Sequence, residues 1–242
     1  TPDSRRIGTD IYLPRKQNHK VEDGDKVLVR VVDWPESERL PHGELVDILG
    51  KAGDNDTEMH AILAEYDLPY HFERNVIRDA ERIDGKITEE EISRRRDMRD
   101  RKTFTIDPAD AKDFDDALSI QKIEEGLWEI GVHIADVTHY VTPGSIVDNE
   151  AQERATSVYL VDRTVPMLPE RLCNDLCSLR PNEDKLCFSA VFTMNSDAEI
   201  IDEWFGRTVI HSDRRFAYEE AQEVIESGAG DCAEEILTLH TL

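Results

Sequence analysis

Four aspartates stand within ten residues, following one another at i, i+6, i+8 and i+9 from position 107 to position 116. Asp110 adds a fifth carboxylate to this segment, and Lys112 offsets only one of the charges. Like charges a few ångströms apart repel by about 1 kcal/mol per pair in water, and by more as a site is dried. Mg²⁺ relieves such repulsion, because it prefers carboxylate oxygens and leaves positions open for a substrate phosphate. The spacing therefore indicates metal-assisted chemistry on a phosphate group.

A solvated acidic turn is the alternative interpretation, because Asp-rich turns are common on protein surfaces. Two features favour a built site. Strand-like stretches at 102–106 and 117–121 flank the loop and fix both of its ends. Inside it, Phe114 and Ala117 alternate with aspartates, which is typical of a wall rather than a flexible tip. A calcium loop of the EF-hand type is disfavoured, because the glycine that this loop needs is missing.

Composition limits the kind of protein that the chain can form. Its 242 residues are 39% hydrophobic and 34% charged, which is typical of one large or two small domains with packed cores. No apolar run approaches a membrane span, and no signal peptide opens the chain. Four cysteines without zinc-ligand spacing fit a reducing compartment, so we predict a cytoplasmic protein. Cys173 and Cys177 are expected to share a helix face as core thiols.

The formal net charge of −24 is unusual for a protein that grips nucleic acid. Such proteins present a basic surface, because neutralising phosphates supplies most of their affinity. A negative net charge still permits an active site that binds phosphate through metal ions. Composition alone thus favours an acidic enzyme or an interaction module, with any basic patch being local or outside this chain.

The elements along the chain predict three regions. Residues 1–52 carry short segments rich in β-branched and aromatic residues, which predict strands at 10–14, 26–34 and 42–49. Residues 53–100 predict a helical linker, with helices at 58–66 and 72–82 and a break at Pro69. Residues 101–242 predict mixed α and β structure, with strands at 127–133, 185–194 and 199–210, and helices at 169–179, at 218–227 and from about 231 onward.

Charged residues mark the end of the linker. Thr88 and Glu91 form a capping-box pattern, and Glu90 with Arg94 and Glu91 with Arg95 are i, i+4 pairs. The three arginines 94–96 could contact phosphate, but a solvated, charged helix is the favoured interpretation.

Four segments, in order, resemble the ribonuclease II/ribonuclease R family of RNB-type exoribonucleases, and bacterial ribonuclease R most of all. The first is the aspartate run Thr105-Ile-Asp-Pro-Ala-Asp-Ala-Lys-Asp-Phe-Asp-Asp-Ala117. The others are Gly131-Val-His-Ile-Ala-Asp-Val137, Thr156-Ser-Val-Tyr-Leu160 and Met167-Leu-Pro-Glu-Arg-Leu-Cys-Asn-Asp-Leu-Cys-Ser-Leu179. Four blocks in the family's order make the resemblance specific.

The resemblance implies a Mg²⁺-dependent, processive 3′→5′ exoribonuclease that hydrolyses RNA from a single-stranded 3′ end to nucleoside 5′-monophosphates. It implies an α+β fold: a partial OB-type, cold-shock-like barrel at 1–52, the helical linker at 53–100, and the first part of a mixed α/β RNB catalytic domain at 101–242. We expect a monomer with no membrane partner.

The resemblance also assigns roles to residues. Asp107 and Asp116 match the direct Mg²⁺ ligands, and Asp113 completes the metal shell. Asp115 matches the aspartate on which cleavage depends most, so all four count as catalytic. Tyr159 matches a tyrosine that stacks on a base near the 3′ end of the RNA, and stacking contributes roughly 1–3 kcal/mol without sequence preference.

Other residues depart from the pattern or lie beside it. Asp110 matches none of the four aspartates, and His133 and Asp136 are expected to support the site rather than react. The family's later Ser-Pro-Ile-Arg-Arg block and basic C-terminal domain are absent before Leu242. We therefore expect a chain cut at both ends, with weak or no activity alone. The alternative function is an RNA-binding module with a structural acidic loop, which is disfavoured because unneutralised carboxylates would repel RNA.

Overall fold

The computed structural model describes residues 1–3, 7–14, 21–36, 39–161 and 163–242. The chain divides into two units, Thr1–His71 and Phe72–Leu242. In the described ranges, no helix is both long and apolar enough to cross a membrane. The domain boundaries predicted at 52/53 and 100/101 stay predictions.

The first unit contains a two-stranded antiparallel sheet and one helix: β1 (Asp25–Asp33), β2 (His42–Lys51) and α1 (Asn55–Glu65). Gly50 lies near the end of β2 with φ +131°, and a Cβ atom there would lie 2.4 Å from Thr57 Oγ1. Glycine therefore allows the buried Thr57 of α1 to approach the strand. The described part of this unit forms an open sheet rather than a closed barrel, which confirms the partial OB-type fold.

The strand predicted at 10–14 is wrong in extent. Tyr12 makes only an isolated bridge with His42, in which the Tyr12 N–H donates to Pro41 O and the Gly43 N–H donates to Tyr12 O. Because pairing is confined to one residue, no ladder forms along this segment.

A seven-stranded sheet forms the centre of the second unit, and a separate short hairpin accompanies it. The strands in chain order are β3 (Arg96–Asp97), β4 (Lys102–Asp107), β5 (Asp116–Glu124), β6 (Leu127–Ala135), β7 (Val158–Tyr159), β8 (Thr164–Val165), β9 (Glu183–Asn195), β10 (Ile200–Ser212) and β11 (Arg214–Ala217). The sheet order is β11-β4-β5-β6-β9-β10-β3, with the outermost pair at each edge parallel and the rest antiparallel. The strands predicted at 185–194 and 199–210 are confirmed as β9 and β10, which pair antiparallel.

The helices of the second unit are α2 (Arg74–Glu81), α3 (Glu89–Ser93), α4 (Val137–Tyr140), α5 (Ile146–Arg154), α6 (Tyr218–Ser227) and α7 (Ala233–Thr241). Thr88 caps α3 as predicted, since its Oγ1 accepts the Glu91 N–H at 3.2 Å. The helix predicted at 218–227 is confirmed as α6. The sequence did not predict α5, because its charged residues show no clear apolar period.

The helix predicted at 169–179 is wrong in extent and in type, since helical structure is confined to residues 170–176 and is mostly π-helical. This segment forms a single π-helical turn, Leu172–Leu176, in which the Cys177 N–H donates to Leu172 O at 2.9 Å. The Leu179 N–H does not continue a helix but donates to Phe114 O at 2.7 Å. The segment therefore leaves the helical path to bind the acidic loop.

Two hydrophobic cores cover opposite faces of the sheet. On one face, Ala117, Cys187 and Val191 pack with α2, α5 and the π-helical turn; we call this the first core. On the other face, Phe104 and Phe216 meet edge-to-face at 5.7 Å between ring centroids, and α6 and α7 cover them. The pairing register of β4, β5 and β6 determines which of their side chains face each core next to the loop that joins β4 to β5.

The prediction of a solvated helix at 94–96 is wrong, because α3 ends at Ser93, Arg96 begins β3 and Arg95 is buried. Its side chain is fully buried; Nε donates to Glu91 at 2.7 Å, and Nη2 lies 2.8 Å from Asp136 Oδ2. Its Nη1 also donates to the backbone carbonyls of Cys187 and Thr208, at 3.3 and 3.4 Å. A guanidinium can be buried here because carboxylates and carbonyls surround it. The predicted pairs with Glu90 and Glu91 are both present.

Candidate functional site

The four aspartates lie where β4 and β5 separate. Asp107 is the last residue of β4, and Asp116 is the first residue of β5. The two strands pair only through residues 102–104 and 118–120, so the loop 108–115 spans the gap that opens beyond them. Neighbouring strands flank both ends, because Asp107 is in register with Ala217 of β11 and Asp116 with Ile134 of β6.

Residues outside the loop hold its backbone on several sides. Arg215 Nη2 donates to Pro108 O at 2.5 Å and to Ala109 O at 3.0 Å. The Ala135 N–H donates to Asp115 O at 2.9 Å. The Phe114 N–H donates to Ser178 Oγ at 3.1 Å. The acidic segment is thus a fixed loop rather than a freely solvated turn.

The aspartates lie within one another's electric fields. Asp107 is buried, with 8% of its surface exposed, and its Oδ2 has no hydrogen-bond partner among the described residues. Burial raises the pKa of Asp107 and the charges of Asp116 and Asp113 raise it further, while a hydrogen bond with Thr105 and the charge of Arg215 partly oppose the rise. Partial burial likewise raises the pKa of Asp115, with the charges of Asp113, Asp116 and Asp107 adding to the effect. Without a cation, this arrangement disfavours full ionisation.

Tyr159, in the short β7–β8 hairpin, lies near Asp113 and Asp115. Its side chain is 68% exposed. Partial burial raises the pKa of the phenol, and so do the charges of Asp113 and Asp115 and a hydrogen bond with Asp113. An open aromatic ring therefore lies beside the carboxylates. Asp110, which was set aside from the four, is exposed on the loop.

Three side chains at the site were not identified from the sequence as belonging to it. Arg215 contacts the loop backbone, and its guanidinium lies 5.5 Å from the centre of the Phe114 ring. Burial and the charge of Asp113 raise the pKa of Cys173 to about 11. Burial and the charge of Asp115 raise the pKa of Cys177 to about 12. Both thiols are therefore protonated at neutral pH. They lie in the segment 167–179 that shares the family resemblance with the aspartate run, which is the signal that could have placed them near the site.

The donor set suits a hard divalent cation in its chemistry. It offers carboxylate oxygens, one of them a buried atom without a partner, and the repulsion among them would be relieved by positive charge. In the described part of the chain, no group of three or more His, Cys, Asp or Glu side chains is placed so that it could hold a metal ion. The residues thus fit a metal ion by type and charge.

His133 and Asp136 support the sheet next to the loop. The His133 ring is fully buried between Ser189 Oγ, 2.7 Å from Nδ1, and Ser119 Oγ, 2.8 Å from Nε2. Burial lowers the pKa of His133 to about 4, which keeps the imidazole neutral. Gly131 makes room for this ring, because a Cβ atom there would lie 2.5 Å from Nε2. Asp136 is ion-paired with the buried Arg95.

Comparison with known proteins identifies both parts of the chain. The RNB domain model matches residues 95–242, and the cold shock domain model matches residues 1–73. The exosome complex exonuclease RRP44 of Mus musculus is 39% identical over 230 residues, which is 95% of this chain and 24% of that protein. This chain spans only 24% to 32% of the length of the first three curated relatives.

Solved structures agree with these matches. Mycoplasma genitalium RNase R in complex with double-stranded RNA superposes with a TM-score of 0.86 at 25% identity, over 96% of this chain and 41% of that chain. Yeast Ssd1, described as a pseudonuclease, superposes with a TM-score of 0.72 at 25% identity, over 95% of this chain and 30% of that chain. This chain therefore belongs to the RNB family, with a cold shock domain preceding its RNB domain.

Proposed function

We propose that this chain carries the carboxylate part of the active centre of a Mg²⁺-dependent exoribonuclease. The enzyme degrades RNA processively from a single-stranded 3′ end and releases nucleoside 5′-monophosphates. The observation that carries the proposal is a fixed loop of four aspartates, one of which keeps a buried, unpartnered oxygen. The exonuclease relative and the RNA-bound RNase R structure support RNA as the substrate. We further propose that the protein is monomeric and cytoplasmic.

Each aspartate has a proposed role. Asp107, Asp113 and Asp116 hold the cation: Asp107 and Asp116 flank the gap at the ends of β4 and β5, and Asp113 lies in the loop between them. A bound Mg²⁺ would neutralise the phosphate and lower the pKa of a coordinated water. Asp115 is the residue on which cleavage depends most, because the other three are committed to the cation. The exposed ring of Tyr159 stacks on a base near the 3′ end, which suits an enzyme that accepts every nucleotide.

The test uses the protein at its natural length and a 5′-labelled RNA with a single-stranded 3′ tail. With Mg²⁺, we expect products that shorten from the 3′ end and release 5′-mononucleotides. Asp115→Asn should nearly abolish hydrolysis while RNA binding persists. Asp110→Asn is the matched control: it removes a carboxylate from the same loop, outside the proposed set, and should leave the rate within about twofold. Unchanged hydrolysis by Asp115→Asn would refute the assignment.

The competing function is an RNA-binding module with a structural acidic loop. Yeast Ssd1, a similar structure described as a pseudonuclease, supports considering it. Such a module gains nothing from carboxylates that repel the RNA backbone. It would bind RNA equally well in Mg²⁺ and in EDTA, and it would release no mononucleotide under either condition. The 242-residue chain alone is expected to show weak or no nuclease activity.

A further inference from the structure

Phe114, which lies between Asp113 and Asp115, is held by both of its backbone groups. Its N–H donates to Ser178 Oγ at 3.1 Å, and its carbonyl accepts the Leu179 N–H at 2.7 Å. Ser178 is fully buried, so solvent does not compete for this hydroxyl. Ser178 and Leu179, which follow the π-helical turn, thus hold one residue of the acidic loop by hydrogen bonds.

These two hydrogen bonds hold Phe114, the residue between the carboxylates of Asp113 and Asp115. The Phe114 ring packs against the first core, and the Arg215 guanidinium lies over it. Asp113 and Asp115 are the residues on either side of this anchor, and the charge of Asp113 acts on Asp115. Fixing the backbone of Phe114 therefore restricts both aspartates at once.

We infer that Ser178 is a positioning residue for Asp113 and Asp115, acting through the Phe114 backbone to preorganise the carboxylates for a divalent cation. This inference rests on the proposed metal-binding function. It also explains the departure from a helix after Leu176: a helical course would direct the Leu179 N–H back to its own segment. A hydroxyl is needed, because alanine at this position offers the Phe114 N–H no acceptor.

Removal of the hydroxyl has a definite expected consequence. A buried N–H without an acceptor favours a shifted or more mobile loop, and the binding cation must then reorder it. A net hydrogen-bond contribution of about 1 kcal/mol corresponds to roughly a fivefold change in a dissociation constant. Ser178→Ala should therefore weaken binding of Mn²⁺, used alone as the probe, by about fivefold.

The chain supplies a matched control. Ser212 is also fully buried, and its Oγ has no hydrogen-bond partner among the described residues. Ser212→Ala removes the same atom from an equally dry position without touching the loop. Mn²⁺ binding by the 242-residue chain is measured by electron paramagnetic resonance of the free ion, and circular dichroism checks folding. A purely structural role for Ser178 would lower the melting temperature without changing the dissociation constant for Mn²⁺.

The expected result is weaker Mn²⁺ binding by Ser178→Ala, wild-type binding by Ser212→Ala, and strongly reduced binding by Asp107→Asn. Wild-type binding by Ser178→Ala, with Asp107→Asn impaired, overturns the inference alone. Wild-type binding by Asp107→Asn overturns the proposed metal site, and the inference with it. If Ser178→Ala does not fold, hydrogen exchange of the Phe114 N–H in the wild type tests the inference instead. Slow exchange supports the hydrogen bond to Ser178, and exchange at the rate of an unstructured amide overturns the inference.

Discussion

Replacing Asp107 with asparagine should stabilise the metal-free protein and remove its stabilisation by metal. Asp107 is buried at the end of β4, next to the charges of Asp116 and Asp113 and opposite the charge of Arg215. Each like-charged pair costs about 1 kcal/mol at contact distance in water, and the lost attraction to Arg215 offsets about one pair. The net gain on neutralising Asp107 is therefore about 1 kcal/mol in EDTA.

Thermal unfolding followed by circular dichroism tests this prediction. For a domain of 150–250 residues, 1 kcal/mol corresponds to a rise of roughly 2–4 °C in melting temperature. Mg²⁺ at a hundred times its dissociation constant should stabilise the wild type by about 2.7 kcal/mol, and Asp107→Asn hardly at all. The order of the two melting temperatures should thus reverse between EDTA and Mg²⁺. A variant less stable than the wild type in EDTA would refute the reasoning, since it would mean that the contacts of the carboxylate with Thr105 and Arg215 outweigh the repulsion from Asp113 and Asp116.

Three further predictions concern pH, a buried ion pair and a close contact. Because the folded-state pKa of Asp107 is raised, its ionisation destabilises the metal-free protein at pH 7. The gain in free energy of unfolding that Asp107→Asn shows in urea should therefore shrink as the pH falls through that pKa toward 3.8. A gain that stays constant with pH would contradict the assignment. Arg95→Met, which leaves a buried carboxylate without its main partner, should lower the free energy of unfolding by about 3 kcal/mol, whereas Arg94→Met in the exposed pair should change it by less than about 0.5 kcal/mol. Gly131→Ala, whose Cβ would lie 2.4 Å from a neighbouring hydroxyl, should destabilise by about 1–3 kcal/mol, while Gly8→Ala, which has open space around it, should be neutral in the same urea titration.

Local patterns in the sequence predicted the elements whose periodicity is strong. The flanks of the acidic loop became β4 and β5, and the amphipathic stretch at 218–227 became α6. The grouping of the aspartates with Tyr159 was expected from motif order, and the structure brings these side chains together. Their individual catalytic roles stay predictions.

The parts that the sequence did not predict depend on distant partners. The helix expected at 169–179 yields to a π-helical turn, because the Leu179 N–H finds its acceptor on Phe114. Arg95 is buried because Asp136 and carbonyls of the central strands receive it. Arg215 contacts the loop across more than a hundred residues of sequence. Helical and strand periods describe near neighbours, so they carry no signal for such contacts.

The anchors of the acidic loop also have a consequence for biosynthesis. Asp115 is made well before Ser178 and Arg215, which bind the loop from the later half of the chain. At a translation rate of 5–20 residues per second, roughly 5–20 s separate the synthesis of Asp116 from that of Arg215. A nascent chain that has not yet reached Ser178 lacks both of these anchors. The carboxylates consequently reach their final spacing only after Ser178 and Arg215 have been synthesised, when most of this chain has been made.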